Sequence, residues 1–189
     1  GGIFCENEAM KWIVSLTGLP EGAFGVFTSG GTAANLSAMV TAREHWREND
    51  IFKREKGLII TSIGAHSSIK AMAKVIDVDV FLVDTEDKLY GIELQNAIDS
   101  LTEHQRKRLF AVVATGGTTN AGIIDDLDGI ATICEHENLW FHVDAAYGGG
   151  ALAADSVRRL FNGIEKADSI TIDPHKWMFS PYDCGAVIY

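Results

Sequence analysis

A lysine near the end of the sequence stands in an unusual setting for its residue type. Lys176 follows Asp173, Pro174 and His175 and precedes Trp177, in a mostly apolar segment, whereas lysines ordinarily lie on solvated surfaces. Desolvation and a neighbouring cation would make this amine nucleophilic, so that it could form a Schiff base with a carbonyl compound. The alternative is a surface lysine whose alkyl stem packs beside a tryptophan.

A carboxylate and a glycine-rich turn are the next candidates. Asp144 ends the apolar segment 141–143, where it either faces a ligand or caps the following helix. His142 is interpreted as a packed or hydrogen-bonded histidine. The turn Ser29–Thr32 (Ser-Gly-Gly-Thr) opens a predicted helix, and free N–H groups at a helix N-terminus suit a phosphate group. The alternative is an ordinary strand-to-helix turn with Thr32 as N-cap.

Two further polar residues keep several interpretations open. His66 lies in a predicted loop, where its ring could stack on a flat ligand, cap a helix or pack in the core. Thr119 ends the Gly-Gly-Thr-Thr segment 116–119, in which a hydroxyl ordinarily bonds to the backbone of its own turn. Neither a nucleotide P-loop motif nor the dinucleotide fingerprint GxGxxG occurs in the sequence.

The order of these residues along the chain is more informative than any one of them. The glycine turn, the histidine, the Gly-Thr-Thr loop, the aspartate and the lysine each follow a predicted strand. A Schiff-base lysine, a carboxylate for a pyridinium nitrogen and an anion cradle are the parts that hold pyridoxal phosphate. The sequence therefore favours pyridoxal phosphate as a cofactor.

Predicted strands and helices alternate through the whole sequence. The strands are short apolar runs, at 25–28, 58–62, 78–83, 109–115, 140–143, 169–172 and 186–189. The predicted helices cover 6–17, the residues after the Ser29–Thr32 turn to about residue 49, 67–76, 94–101 and 126–137. Continuous apolar strands have both faces covered by helices, which is typical of a mostly parallel α/β sheet. In such sheets ligands bind beyond the carboxyl ends of the strands, where all the candidates fall.

Composition excludes several other classes of protein. The 189 residues, enough for about one domain, carry a net charge of −10, which argues against nucleic acid or an anionic membrane as the main partner. No apolar run approaches the roughly 20 residues of a membrane helix. The three cysteines are widely spaced without a CxxC pair. This spacing argues against a disulfide framework or a zinc site, so we expect no metal and a reducing, cytoplasmic location.

The motifs together resemble those of the group II pyridoxal-phosphate-dependent amino-acid decarboxylases. This family includes the aromatic-amino-acid, tyrosine, histidine and glutamate decarboxylases. The matching segments are TSGGTAAN (28–35), AHSS (65–68), ATGGTT (114–119), HVDAAY (142–147), ADS (167–169) and DPHKW (173–177). HVDAAY together with PHKW is highly specific for the family.

The resemblance implies a fold and an activity. The fold is the large domain of the aspartate-aminotransferase type (fold type I), a mostly parallel seven-stranded sheet covered by helices, over residues 1–189. The activity is decarboxylation of an L-amino acid to its amine and CO2 in a homodimer. The chain lacks an initiator Met and ends in a predicted strand, so we expect a segment of a longer protein, without its N-terminal arm and C-terminal small domain. Alone it should have little activity.

The resemblance also implies a role for each matching residue. Lys176 would carry the cofactor as a Schiff base, and Asp144 would pair with the pyridine nitrogen. His66 would stack on the ring, with Ala146 against its other face, and Thr119 would contact ring substituents or the substrate's carboxylate region. Residues around the phosphate would be Gly31, Thr32, Asp173 and His175. The implied catalytic residues are Lys176, His66 and Asp144.

Two features of the sequence qualify this assignment of roles. Many family members have Asn at the position of Asp173, and a carboxylate beside a phosphate is unfavourable unless it accepts a hydrogen bond from a neighbour. The family's catalytic tyrosine lies beyond Lys176 and matches neither Tyr147 nor Tyr189. An aminotransferase or carbon–carbon lyase of the same fold would share Lys176 and Asp144, and a non-catalytic cofactor-binding fragment is the other alternative.

Overall fold

The computed structural model describes residues 1–49 and 55–189, and a seven-stranded sheet lies at its centre. The strands are β1 (Gly25–Thr28), β2 (Leu58–Ser62), β3 (Asp79–Val83), β4 (Leu109–Thr115), β5 (Trp140–Asp144), β6 (Ser169–Ile172) and β7 (Gly185–Ile188). Their order across the sheet is β1-β7-β6-β5-β4-β2-β3. Neighbours from β3 to β6 are parallel, and β7 is antiparallel to both β1 and β6. The predicted mostly parallel seven-stranded sheet is confirmed.

Helices connect the strands and cover the sheet. They are α1 (Gly2–Thr17), α2 (Gly31–Asn49), α3 (Ser67–Val75), α4 (Gly91–Ser100), α5 (Glu103–Arg108), α6 (Leu127–Glu137) and α7 (Asp155–Arg158). Short 3₁₀ helices follow β5 at Gly148–Ala153, Arg159–Phe161 and Ile164–Lys166. None of the helices in the described ranges is long and apolar enough to cross a membrane.

Strand β4 shows why continuous apolar runs predict a sheet covered on both faces. Val112 and Ala114 pack into one hydrophobic cluster, with residues of α4 and α6. Ala111 and Val113 pack into a second cluster, with residues of α2 and α3. Because successive side chains of a strand point to opposite faces, each face needs its own apolar residues. The two clusters are therefore the two layers of core on either side of the sheet.

Differences from the predicted elements lie mainly outside the sheet. Helix α1 begins at Gly2, four residues before the predicted start, and α5 was not predicted. A capping box begins α5, because the Thr102 side chain accepts from the Gln105 N–H and the Gln105 side chain accepts from the Thr102 N–H. The pattern Thr-x-x-Gln at 102–105 was the available signal for this short helix.

The carboxyl ends of six strands, all except β7, lie at one edge of the sheet. The segments that follow β1, β2, β4, β5 and β6 begin there, which gathers the candidate residues at one place. Strand β7 also passes close to the turn after β1, since a Cβ atom on Gly185 would lie 2.5 Å from Gly30 Cα. Gly30 has a φ of +142°, a conformation that side chains disfavour. Glycines at both positions therefore permit this close approach of two backbones.

A buried carboxylate ties the end of β4 to the segment before α4. Asp125 Oδ2 accepts from the Thr115 N–H at 2.7 Å, and its Oδ1 accepts from the Leu89 N–H at 2.8 Å. Burial raises the pKa of Asp125 to about 6, although both hydrogen bonds favour the charged form. The folded state therefore holds a proton on this group at pH values where the unfolded chain has released it.

We expect Asp125 to make the free energy of unfolding decrease as pH rises from about 4 to about 6, because the folded state binds more protons in that window. A pKa difference of about two units corresponds to roughly 3 kcal/mol. Asp125→Asn cannot titrate and should lose this part of the pH dependence. Denaturant unfolding of both forms across the window measures it, and equal pH slopes would contradict the assignment.

Candidate active site

A cavity of about 530 Å³ opens at the carboxyl edge of the sheet. It is lined by all of the site residues predicted from the sequence, which are Gly31, Thr32, His66, Thr119, Asp144, Ala146, Asp173, His175 and Lys176. They come from the segments after β1, β2, β4, β5 and β6. The topology therefore brings together residues that are as much as 145 positions apart in sequence (31 to 176).

The first turn of α2 forms one wall of the cavity. A Cβ atom on Gly31 would lie 2.8 Å from Asp173 Oδ2 and 3.0 Å from Ala146 Cβ, so the turn is packed tightly against both. The helix begins at Gly31, which places Thr32 inside its first turn with an exposed side chain. Backbone N–H groups in the first turn of a helix are suited to an anion, so the predicted phosphate site at this turn stays a prediction.

Asp144 ends β5 and is only 6% exposed. Its Oδ2 accepts from Asn35 Nδ2 at 2.9 Å, and its Oδ1 accepts from the Ala146 N–H at 3.1 Å. Burial raises its pKa, while these two hydrogen bonds and the charges of Lys176 and His66 oppose that rise. The carboxylate is thus a buried acceptor that borders the cavity, and the next helix begins only at Gly148.

A chain of buried polar groups continues behind Asp144. Asn35 Oδ1 lies 3.0 Å from His142 Nε2, and His142 Nδ1 lies 2.8 Å from Ser169 Oγ, which accepts from Trp140 Nε1 at 2.8 Å. His142 is hydrogen-bonded and fully buried, as the sequence indicated, and burial lowers its pKa to about 3. Asn35 and Ser169 lie in the matching motifs, but a motif does not reveal hydrogen-bond partners, and neither was singled out.

His66 is the N-cap of α3. Its Nδ1 accepts from the Ser68 N–H at 3.2 Å and lies 2.8 Å from Ser68 Oγ. The residue is exposed and borders the cavity, which excludes the interpretation as a core histidine. Capping leaves the rest of the ring free to face the cavity, so the capping and ligand-stacking interpretations are compatible.

Lys176 is paired with the carboxylate that precedes it by three residues. Its Nζ lies 2.9 Å from Asp173 Oδ2, and its side chain is 35% exposed. The predicted desolvation of this lysine is wrong, because the following Trp177 is itself half-exposed and stacks on Tyr147 at the surface. Asp173 is 3% exposed, and its Oδ1 has no hydrogen-bond partner in the part of the chain that the structure describes.

The remaining predicted residues complete the rim. The His175 N–H donates to the Cys184 carbonyl at 3.2 Å, and the Cys184 N–H donates to His175 Nδ1 at 2.9 Å, which fixes the segment after β6 beside β7. Thr119 is exposed at the rim. The turn hydroxyl expected of Thr119 belongs instead to Thr118, whose Oγ1 accepts from the Ile123 N–H.

Comparison with known proteins identifies the class of this fold and site. Residues 3–189 match the family model described as the pyridoxal-dependent decarboxylase conserved domain. Since the match covers nearly the whole chain, the protein belongs to the pyridoxal-dependent decarboxylase family, and the resemblance found in the motifs is confirmed.

Individual relatives are similar over almost all of this chain but only part of their own. The chain is 36% identical over 188 residues to an aromatic-L-amino-acid decarboxylase of Bacillus atrophaeus, covering 97% of this chain and 38% of the relative. It is 36% identical over 187 residues to an L-2,4-diaminobutyrate decarboxylase of Rhizobium meliloti, covering 97% and 37%. The crystal structure of mouse CSAD in apo form has a TM-score of 0.89 at 35% identity, covering 98% and 41%. The chain thus spans about two fifths of these relatives.

The cavity fits the cofactor of this family, pyridoxal phosphate. A tightly packed helix turn suits a phosphate group, a buried carboxylate suits a pyridinium N–H, and an accessible amine suits an aldehyde. All three border the same cavity, in Gly31, Asp144 and Lys176. No group of three or more metal-ligating side chains occurs in the described ranges.

Substitutions of His66 should separate its role as the N-cap of α3 from the role of its ring in the cavity. We expect His66→Asn to retain the stability of α3, because a short polar side chain replaces the capping acceptor. His66→Ala and His66→Phe should each lose about 1 kcal/mol of unfolding free energy. Denaturant unfolding in the absence of cofactor measures this, and equal stabilities for the three variants would show that the cap contributes nothing.

Proposed function

We propose that residues 1–189 form the cofactor-binding large domain of an enzyme that decarboxylates an L-amino acid to its amine and CO2. The observation that carries this proposal is the single cavity in which the accessible amine of Lys176, the buried carboxylate of Asp144 and the turn at Gly31 meet. Membership of the family supports it. Because two relatives are named for aromatic and diamino acids, the side chain of the substrate is left open.

When bound, pyridoxal phosphate supplies an aldehyde that condenses with amines and a protonated pyridine ring that accepts the electron pair left as CO2 departs. Lys176 Nζ is the amine that would hold the cofactor, and the substrate amine would replace it there. Before it can attack a carbonyl carbon, the lysine ammonium must lose a proton. Asp173 Oδ2, 2.9 Å away, is the acceptor placed to receive that proton.

Asp144 maintains the charge on the pyridine nitrogen. An ionised carboxylate beside this nitrogen favours its protonated form, and a protein dipole or charge fixed in place before reaction needs no reorganisation. The Asn35 and Ala146 hydrogen bonds hold the two Asp144 oxygens in position. Asp144 therefore acts by electrostatic stabilisation and does not itself transfer a proton to the substrate.

Gly31, Thr32, Asp173 and His175, at and around the first turn of α2, would hold the phosphate of the cofactor. The Asp173 carboxylate is 2.8 Å from the position of a Cβ on Gly31, so its negative charge would repel a phosphate if it were unpaired. Transfer of the Lys176 proton to Asp173 Oδ2, which lies 2.9 Å away, would neutralise that charge. This proton would make a carboxyl group acceptable at a position where many family members have Asn.

His66 and Ala146 would hold the cofactor ring from opposite faces, and Thr119 at the rim would contact the ring substituents or the substrate carboxylate. The contribution of His66 would be the aromatic face of its imidazole, which stacks on the ring. His66→Phe, which lacks the cap but keeps an aromatic face, should retain more cofactor affinity than His66→Ala. His66→Asn should show the opposite pattern, with the stability retained and the affinity lost.

The enzyme is proposed to be a cytoplasmic homodimer whose other segments complete the site. Large aromatic side chains are exposed beside the cavity, with Phe179 and Tyr182 each 86% exposed and Trp177 48% exposed. A cluster of this kind is typical of a surface that another segment or subunit covers. The free cysteines and the net charge of −10 support a reducing compartment and a small-molecule substrate instead of nucleic acid or a membrane.

The activity is tested by measuring CO2 and amine from a panel of amino acids with the full-length protein. We expect CO2 release in the wild type and its loss in Lys176→Ala. Borohydride reduction and peptide mapping should locate the pyridoxyl group on Lys176. Modification of Lys70 or Lys74 instead, or amino-group transfer without CO2, would contradict the proposal and favour another enzyme class of this fold.

Replacing Asp144 by Asn should leave cofactor attachment intact but slow turnover severely. The neutral amide does not stabilise the pyridinium, and the loss should reach several kcal/mol, the scale of a lost preorganised charge. Asp125→Asn is a matched control, because Asp125 is a buried carboxylate outside the cavity. The measurement is the turnover of both variants. Near-wild-type turnover in Asp144→Asn would contradict the role of Asp144 in stabilising the pyridinium.

A further inference from the structure

A continuous hydrogen-bond chain extends from the half-buried Trp140 to the buried Asp144. It passes from Trp140 Nε1 to Ser169 Oγ, to His142 Nδ1 and Nε2, to Asn35 Oδ1 and Nδ2, and ends at Asp144 Oδ2. Each contact is between 2.8 and 3.0 Å. His142, Ser169 and Asn35 are at most 1% exposed, so water does not replace these partners. The function proposed above uses only the last residue of this chain.

The two ends of the hydrogen-bond chain, Trp140 and Asp144, determine which group donates and which accepts in every hydrogen bond between them. An ionised carboxylate only accepts, so Asn35 must present its amide N–H₂ to Asp144 and its carbonyl oxygen to His142. That oxygen also only accepts, and His142 must therefore carry its proton on Nε2. The bare Nδ1 of neutral His142 then accepts from the Ser169 hydroxyl, whose oxygen accepts from the indole N–H of Trp140. When Asp144 is ionised, each donor therefore meets an acceptor only if every group donates toward Asp144, starting from Trp140.

The reverse direction requires a protonated Asp144. Its O–H would donate to a flipped Asn35, the Asn35 amide would donate to His142 Nε2, and the proton of His142 would move to Nδ1. Ser169 would then receive two hydrogen bonds, from Trp140 and His142, and its own hydroxyl hydrogen would have to leave the chain. Ser169 is fully buried, and a buried donor without its partner costs about 1–3 kcal/mol. The tautomer of His142 and the charge of Asp144 are consequently coupled.

A branch of this hydrogen-bond chain reaches His66, which also lines the cavity. Asn35 Nδ2 is also 3.4 Å from Ser68 Oγ, and Ser68 Oγ lies 2.8 Å from His66 Nδ1. Since His66 Nδ1 already accepts from the Ser68 N–H, this ring nitrogen is bare and the Ser68 hydroxyl donates to it. One orientation of the Asn35 amide therefore fixes hydrogen bonds to both Asp144 and, through Ser68, His66.

We propose that His142 is a positioning residue that, through Asn35, keeps Asp144 ionised and oriented toward the pyridine nitrogen of the cofactor. The inference rests on the proposed role of Asp144. Burial, which lowers the pKa of His142, keeps the imidazole neutral, as a residue with one donor and one acceptor must be. Burial raises the pKa of Asp144, and the Asn35 hydrogen bond opposes that rise. Loss of the correctly oriented amide would therefore favour the protonated, ineffective form of Asp144.

Two amide substitutions of His142 test the proposal. The Gln side chain places an N–H₂ group near the position of Nε2, where it can donate to Asn35 Oδ1, whereas the shorter Asn reaches only the position of Nδ1. We expect His142→Gln to bind pyridoxal phosphate about as tightly as the wild type. His142→Asn should bind it about tenfold more weakly, the order of one hydrogen bond, with less of the protonated-ring absorption band. Both variants bury a comparable amide, and the smaller Asn also loses packing. The absorption band therefore separates the proposed role from a merely structural one, which would leave the band of the bound cofactor unchanged.

Thr171→Val supplies a matched control on the neighbouring strand. Thr171 is paired in register with Asp144 and is buried, and its hydroxyl has no hydrogen-bond partner within residues 1–49 and 55–189. Its removal should leave the cofactor affinity and the absorption spectrum unchanged. A tenfold loss in this control would show that any disturbance of the sheet near Asp144 weakens binding, and would overturn the specific role of His142.

The tautomer is measurable without cofactor. In the full-length apoprotein with ¹⁵N-labelled histidine, the His142 signals, assigned by their absence in His142→Gln, should show a proton on Nε2 and a bare Nδ1. A proton on Nδ1, or equal cofactor affinities for the Gln and Asn variants, would overturn the proposal. Failure of the wild type to bind pyridoxal phosphate would instead refute the proposed function, and the tautomer measurement would still stand.

Discussion

The proposed site depends on keeping the Asp144 carboxylate charged although it is largely removed from water. Asp144 is buried at the end of β5, and removing such an ion from water costs several kcal/mol unless other groups replace the lost hydration. Donors from two directions do so, the Ala146 backbone below one oxygen and the Asn35 amide beside the other. Each hydrogen bond to a charged group is worth about 1.5–3 kcal/mol. Together these two hydrogen bonds stabilise the buried charge in one orientation of the carboxylate. In that orientation the rest of the carboxylate is left for a ligand.

The Asn35 donor reaches Asp144 because α2 packs over the sheet at the end of β5. Asp144 on β5 is paired with Thr115 on β4 and with Thr171 on β6. Asn35 comes from α2, which packs over β5, β6 and β7, so one helix both offers its N-terminal turn to an anion and directs an amide toward Asp144. The glycines at 30, 31 and 185 let that helix approach β7 and Asp173 closely. A side chain at Gly31 or Gly185 would come within 2.8 Å of Asp173 or 2.5 Å of Gly30 and would force these segments apart.

Hydrophobic pattern and strand-end chemistry were sufficient to predict most of this arrangement. The apolar run at 109–115 has no polar interruption, so its strand and its burial on both faces follow from residue type alone. Lys176 and Asp144 could be assigned to one cavity because parallel strands bring their carboxyl ends together. The ion pair between Lys176 and Asp173 could not be predicted, because a spacing of three residues does not reveal whether two side chains turn toward each other after a strand. The Asn35–His142–Ser169 contacts link α2, β5 and β6 across more than 100 residues, and only the packed structure brings them within hydrogen-bond distance.

Asp173 and Asp144 illustrate how two buried carboxylates in one cavity acquire different chemistry. Asp144 is surrounded by neutral donors, which orient it without neutralising it. Asp173, also buried, is paired through Oδ2 with the charge of a lysine side chain, and both of its oxygens lie close to the turn at Gly31. In the proposed function Asp173 accepts the proton of Lys176 and becomes neutral, whereas Asp144 keeps both of its donors and its charge. The lysine pair is therefore suited to a group that must change its state during reaction, and the amide and backbone donors to a charge that must stay constant throughout it.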